Sequence, residues 1–249
     1  MSRFENRTVL ITGAASGFGA LAARRFAAEG ATVILGDVND CAPLAEELGG
    51  AAARCDVSKP EDQEALVALA MERTGRLDVA LNNAGIGHPL GFMAEIAFED
   101  FQRQMAVNLG GCFLGMKYQL PVMMKGGGGA ILNTASAAGL VSAPLSGAYS
   151  AAKHAVIGLT KTAADEYARF GIRVNALCPS FADTPMVDEL RAGLGGDAAA
   201  VDPKLTNRIP MRRVADAEEI VQAMLWASAP ENSFYTGQAL ALDGGLTAT

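Results

Sequence analysis

A short β-branched run, Thr8-Val9-Leu10-Ile11, leads directly into Thr12-Gly13-Ala14-Ala15-Ser16-Gly17-Phe18-Gly19, then into an Ala-rich segment of helical period that Gly30 ends. No other feature restricts the fold so tightly. Three glycines at this spacing allow a sharp turn between a strand and the helix that packs back on it. The rhythm then repeats. Thr32-Val33-Ile34-Leu35 ends at Asp37, and a run from 51 to 55 ends at Asp56. A helix opens at Pro60-Glu61, where proline suits the first turn, and Leu77 to Leu81 feeds Asn82-Asn83-Ala84-Gly85.

In the second half the pattern predicts a long helix over 98–124, a strand over 130–135 and a helix over 147–170 stopped by Gly171. A strand over 172–177, a helix over 217–228 and a last strand over 238–242 follow. Nearly all-apolar strands alternating with helices imply an α/β fold, a doubly wound parallel sheet of about seven strands covered on both faces. No linker-like stretch divides the 249 residues, so one domain covers 1–249. The least regular part, about 181–213, reads as a substrate lid.

Composition sets the outer limits. Half the residues are hydrophobic, 19% are charged and the formal net charge is -7, without a Lys/Arg-rich run, so nucleic acid is not an expected partner. No stretch approaches 18 uninterrupted apolar residues, and the start, MSRFENRTVL, lacks the apolar run of a signal peptide, which argues against a membrane partner and for a cytoplasmic protein. Cys41, Cys55, Cys112 and Cys178 lie far apart, and the two histidines offer no ligand spacing; reduced thiols and no metal are expected.

A Gly-rich turn ahead of a helix N-terminus presents free N–H groups and the positive end of a dipole to a pyrophosphate. Gly13, Ser16, Gly17, Phe18 and Gly19 are the candidates to hold it. Asp37, at the end of the second strand, can accept from adenosine ribose hydroxyls and would repel a 2′-phosphate, which favours NAD over NADP; the alternative is an ordinary strand-end carboxylate. Asp56, with Val57 beside it, is placed for the adenine amino group or, equally, for capping the next helix.

Tyr149-Ser150-Ala151-Ala152-Lys153 puts a phenol and an ammonium on one helix face. A cation beside a phenol favours its ionised form, and such a group exchanges protons with an alcohol or carbonyl oxygen. Ser136 follows a strand at the carboxyl end, where open α/β sheets place ligands, and could hold the substrate oxygen or be a cap serine. Asn108 interrupts an apolar helical stretch, a position that backbone bonding or a kink with water would explain, as would a structural role.

With these residues in place the sequence resembles the short-chain dehydrogenase/reductase family, a single-domain Rossmann fold, over essentially its whole length. The resemblance rests on Thr12-Gly13-x-x-x-Gly17-x-Gly19, Asn82-Asn83-Ala84-Gly85, Asn108, Ser136, Tyr149-x-x-x-Lys153, Pro179 and Asp243-Gly244-Gly245. It implies Asn108, Ser136, Tyr149 and Lys153 as a catalytic tetrad. In it Tyr149 is the acid/base, Ser136 orients the substrate oxygen, Lys153 binds the nicotinamide ribose and Asn108 holds a relay water. It places Asn82, Ala84 and Gly85 beside adenosine, and Pro179, Phe181 and Thr184 near the nicotinamide, with a cap as the alternative for Thr184. A homotetramer is implied too. Ser180 departs from the family's usual glycine, which leaves the pocket's shape open.

The reading that results is NAD-dependent hydride transfer between nicotinamide and a small-molecule secondary alcohol or ketone. The segments expected to line the pocket are mostly apolar, and His88 is read as a loop histidine that could touch a polar substrate group. Two rivals remain: a 3-oxoacyl-acyl-carrier-protein reductase, disfavoured by Asp37 and the acidic balance, and a non-catalytic dinucleotide-sensing protein.

Overall fold

The computed structural model describes residues 2–87, 90–196 and 198–248, so the expectation for His88 lies outside the described residues. In chain order the elements are β1 (Thr8–Thr12), α1 (Gly17–Ala28), β2 (Thr32–Asp37), α2 (Ala42–Glu47), β3 (Ala51–Arg54), α3 (Pro60–Thr74) and β4 (Val79–Asn82). Then come α4 (Phe98–Gln104), α5 (Gly111–Lys125), β5 (Gly129–Thr134), α6 (Gly147–Tyr167), β6 (Ile172–Pro179), α7 (Pro185–Gly193), α8 (Ala198–Leu205), α9 (Ala217–Ser228) and β7 (Ala239–Leu242). The seven strands form one parallel sheet in the order β3-β2-β1-β4-β5-β6-β7.

Alternation along the strands builds two cores. Val9, Ile11, Val33 and Leu35 face Phe26 of α1, Leu44 of α2 and Met224 of α9. Leu10, Ile34 and Ile131 face the opposite side, against Leu66 of α3 and Met116 and Met123 of α5. Each fully buried Leu or Ile contributes roughly 1.5–3 kcal/mol, so a charge on either face of β1 would unseat a whole helical layer. The strand order reverses between β1 and β4, which opens a crevice at their carboxyl ends, above the turn that follows β1.

Three local expectations change. The helix expected over 98–124 is interrupted: a π-helical stretch, Met105–Gly110, separates α4 from α5, because Asn108 turns its amide to a loop backbone. β6 runs on to Pro179, held by the pairing of Pro179 with Leu242. The 181–213 stretch carries two short helices: α7, opened by Pro185 and amphipathic about buried Val187 and Arg191, and α8, Ala-rich and weakly periodic, which forms once its ends are tied down.

Candidate active site

The turn after β1 is shaped by its neighbours. Gly13 adopts φ 66°, and a Cβ there would stand 2.8 Å from Ala84 Cα, so only glycine lets β1 and β4 close together. The Thr12 hydroxyl draws them in by accepting from Asn83 N (3.1 Å) and Ala84 N (3.2 Å). Thr12 was read only as part of the Gly-rich motif; a buried threonine at a strand end was the available signal for this role.

Helix α1 makes its first internal bond from Ala20 N to Ser16 O. The N–H groups of Gly17, Phe18 and Gly19 precede it, Ser16 supplies no side-chain cap and no acid lies in the first turn. This unshielded, positive helix end is the arrangement a diphosphate requires. Asp37, at the end of β2, ties to the same turn: Oδ2 accepts from Ala15 N at 3.0 Å, while Oδ1 accepts from Asn39 N at 2.9 Å. Each oxygen keeps a lone pair for a ribose hydroxyl. The residues present therefore fit a nicotinamide dinucleotide.

Asp56 does not cap α3, whose N-cap is Lys59. It folds back on Ser58 instead, accepting from Ser58 Oγ (2.7 Å) and Ser58 N (3.1 Å), and the Ser58 hydroxyl helps hold its carboxyl below the usual range. Val57 is buried against Gly111, with its carbonyl taken by Gln63. Asn82 is buried in a chain of side-chain bonds: it exchanges bonds with Gln119 (3.1 and 2.8 Å) and donates to Asn133 (2.9 Å), which donates to Thr160 (2.9 Å). These four ties brace β4, α5, β5 and α6 beneath the site. Ala84 and Gly85 border the crevice directly.

The catalytic candidates converge at the ends of β4, β5 and β6. Lys153, buried on α6, donates to Thr134 O at 2.7 Å, and its Nζ lies 5.5 Å from the Tyr149 ring centre. Ser136 Oγ accepts from Ala138 N (3.1 Å), capping a 3-10 turn at Ala137–Gly139, and donates to Pro179 O at 3.4 Å. That long bond is easily exchanged for a substrate oxygen. The serine thus caps this turn and also reaches the end of β6.

Asn108 Oδ1 accepts from Ile86 N (2.9 Å), while Nδ2 donates to Ile86 O (2.9 Å) and Gln104 Oε1 (2.5 Å). Both side-chain hydrogens are therefore taken by protein, and this amide holds the 85–87 loop. Gln104 extends the grip by donating to Gly87 O at 2.7 Å. Its spacing of four from Asn108 was the missed signal. A Cβ on Gly85 would stand 2.8 Å from Asn108 Oδ1 and 3.6 Å from Lys153 Nζ, which locates this loop against the ammonium.

Beyond β6, Ser180 stays out of the left-handed region, so its Cβ costs nothing where the family resemblance suggested glycine. Phe181 is half-buried, and its carbonyl accepts from Ala215 N. Thr184 occupies the N-cap position of α7, but its hydroxyl donates to Ala182 O (3.1 Å) instead of accepting from the helix.

A family model described as enoyl-(acyl carrier protein) reductase matches residues 13–247. A 2,5-dichloro-2,5-cyclohexadiene-1,4-diol dehydrogenase of Sphingobium indicum is 43% identical, with all of both chains covered. A cyclohexanol dehydrogenase of Acinetobacter sp. is 37% identical over 99% of this chain and 97% of the relative. Among solved structures, levodione reductase superposes with a TM-score of 0.94 at 34% identity, covering 99% of each chain. Sequence, sheet order and site geometry agree: the chain belongs to the short-chain dehydrogenase/reductase family of nicotinamide-dinucleotide oxidoreductases.

Proposed function

We propose that the protein is an NAD-dependent oxidoreductase that transfers hydride between nicotinamide and the carbinol or carbonyl carbon of a neutral, cyclic secondary alcohol or ketone. The observation that carries this reading is the convergence of Tyr149, Lys153 and Ser136 on the mouth of the crevice that holds the Gly-rich turn. When bound, the dinucleotide supplies the hydride chemistry. The chain supplies the rest. Tyr149 Oη takes a proton from the alcohol or returns one to the ketone oxygen, Ser136 Oγ holds that oxygen in place, and Lys153 offers its remaining N–H groups to ribose hydroxyls.

The substrate class follows from the walls of the mouth. Gly91 N donates to Leu145 O, Met93 reaches the start of α6 and Met186 approaches Gly87. Leu90, Phe92, Met93, Leu145 and Met186 all leave apolar surface exposed there. Such a wall suits a ring lacking charge, in keeping with the alcohols that the two curated relatives are named for. Asp37 supports NAD over NADP, because a 2′-phosphate would meet its carboxylate. Among the described residues of the segments 85–96, 137–146 and 181–190 no Lys or Arg stands ready for an acyl-carrier protein, and a complete proton-transfer set favours an enzyme over a dinucleotide sensor.

Two wider readings belong with this one. Free, buried Cys41, Cys55, Cys112 and Cys178 suit a reducing, cytoplasmic setting. A homotetramer would cover the exposed edge of β7, the exposed Phe98 and Phe113 of α4 and α5, and Phe234; sedimentation tests it. The decisive experiment is NAD+ and NADP+ reduction across cyclic secondary alcohols, with a 3-oxoacyl thioester and NADPH as the opposing pair. Faster NAD+ turnover with a cyclic alcohol is expected. A higher kcat/KM with NADP+, or turnover of the thioester alone, overturns the reading.

A further inference from the structure

Helices α7 and α8 are held to the domain by little apolar burial. Among their described residues only Val187 and Val201 are buried aliphatic side chains. Beneath them lies a polar cleft lined in part by Asp202, Thr206, Arg213 and Asp216 rather than packed core. Among the described residues, the guanidinium of Arg191 ties the two helices together.

Arg191, in the last turn of α7, is 9% exposed. Its Nε and one terminal nitrogen donate to the two oxygens of Asp202 on α8, at 2.8 and 2.9 Å. Its other terminal nitrogen donates to Asp183 (2.7 Å) and Asp188 (2.8 Å). The fork on Asp202 is bidentate and largely shielded, the geometry in which an arginine–carboxylate pair is strongest and a lysine cannot substitute in full. Asp188 lies on the same helix as Arg191, so the informative ties are to α8 and to Asp183.

Asp183 is one residue before Thr184, and there the tie reaches the cofactor crevice. A Cβ on Gly17 would lie 3.7 Å from Pro185 Cδ and 3.8 Å from the Thr184 side chain. A Cβ on Gly87 would lie 4.0 Å from Met186 Cγ. The first turn of α7 therefore spans the crevice from the phosphate turn to the loop that Asn108 and Gln104 hold.

We propose that Arg191 is a positioning residue for cofactor retention: by clamping α7 and α8 to Asp183 it holds Thr184, Pro185 and Met186 across the crevice and limits the rate at which the dinucleotide leaves. The proposal rests on the reading of Gly13–Gly19 as the diphosphate cradle. Arg191 touches neither substrate nor cofactor; it acts through the backbone of residues 183–186.

The test is stopped-flow release of NADH, followed by its fluorescence, from the wild-type protein and from Arg191→Met, Arg191→Lys and Asp202→Asn. Release should accelerate about tenfold in Arg191→Met, with Arg191→Lys between it and wild type. Single-turnover hydride transfer at saturating cofactor should change little. Asp202→Asn keeps the side-chain shape and should reproduce part of the acceleration, so the test survives if Arg191→Met fails to fold. Release rates within twofold of wild type in all three variants overturn the clamp while leaving the cofactor reading intact. Equal losses in release and in single-turnover rate also overturn it, because they would mark general destabilisation. Wild-type protein that binds neither NADH nor NADPH overturns the cradle reading itself.

Discussion

The ammonium of Lys153 lies 5.5 Å from the centre of the Tyr149 ring, one turn along the same helix. It is anchored there by Thr134 O, on the strand that delivers Ser136. The helix thus presents a phenol to the crevice with a fixed cation behind it. Replacing Tyr149 by Phe removes the hydroxyl and keeps the ring packing. Turnover should fall by about 10²–10⁴-fold, while NADH binding measured by fluorescence titration stays within a few-fold of wild type. Unchanged turnover would remove Tyr149 from the proton-transfer role.

Asp37 bonds to Ala15 N through one carboxylate oxygen. Asp37→Asn keeps an oxygen for that bond and removes the charge, at the cost of the bond that the other oxygen accepts from Asn39 N. The ratio of kcat/KM for NADP+ to that for NAD+ should rise about tenfold, as lost repulsion of a 2′-phosphate would produce. A ratio that does not move would show that the carboxylate plays no part in cofactor choice.

Arg173 is buried, with no carboxylate partner among the described residues. Its guanidinium donates to Ala227 O (2.9 Å), Ser228 O (3.2 Å), Ala229 O (3.1 Å) and Tyr235 O (3.3 Å), so it caps the carboxyl end of α9 from inside the fold. Burial pushes its pKa down from the ordinary arginine value. Arg173→Met would strand these carbonyls, at about 3 kcal/mol or more in urea unfolding. A loss below about 1 kcal/mol would mean that water reaches them.

Asp78 joins the start of β1 to the residues before β4. It accepts from Arg7 at 2.8 Å, from Arg76 at 2.6 and 2.8 Å, and from Thr8 N at 2.9 Å. Burial alone would raise its carboxyl, but these bonds outweigh burial and hold it below the ordinary range. A lowered folded-state pKa stabilises the fold above the unfolded value near ~3.9, and that stability is lost as pH falls through the lower folded value. Asp78→Asn should therefore cost about 1–2 kcal/mol at pH 7. The gap in Tm between variant and wild type should start to narrow as pH drops below about 4, where Asp78 of the unfolded wild-type chain takes up a proton, and should close only below the lower folded-state value. A gap that is constant from neutral to acidic pH would rule the ion pairs out as its source.

The layer order of the molecule was legible in local sequence, as were the residues of its candidate site, because each depends on short-range spacing. Strand periodicity, the glycines after β1, the acid closing β2 and a phenol four residues before a lysine are all written within a few residues of one another. Other features come from residues distant in the chain. The π-helical stretch exists because Asn108 finds Ile86, and the grip on Gly87 exists because Gln104 is one turn from Asn108. The Asn82–Gln119 exchange joins a strand to a helix 37 residues away. Arg191 becomes a clamp only when α8 brings Asp202 to it and β6 ends beside Asp183. Polar side chains in an apolar or featureless stretch say that partners are needed without saying which. Three-dimensional packing chose them, because a buried hydrogen-bonding group costs free energy until some neighbour, however far along the chain, satisfies it.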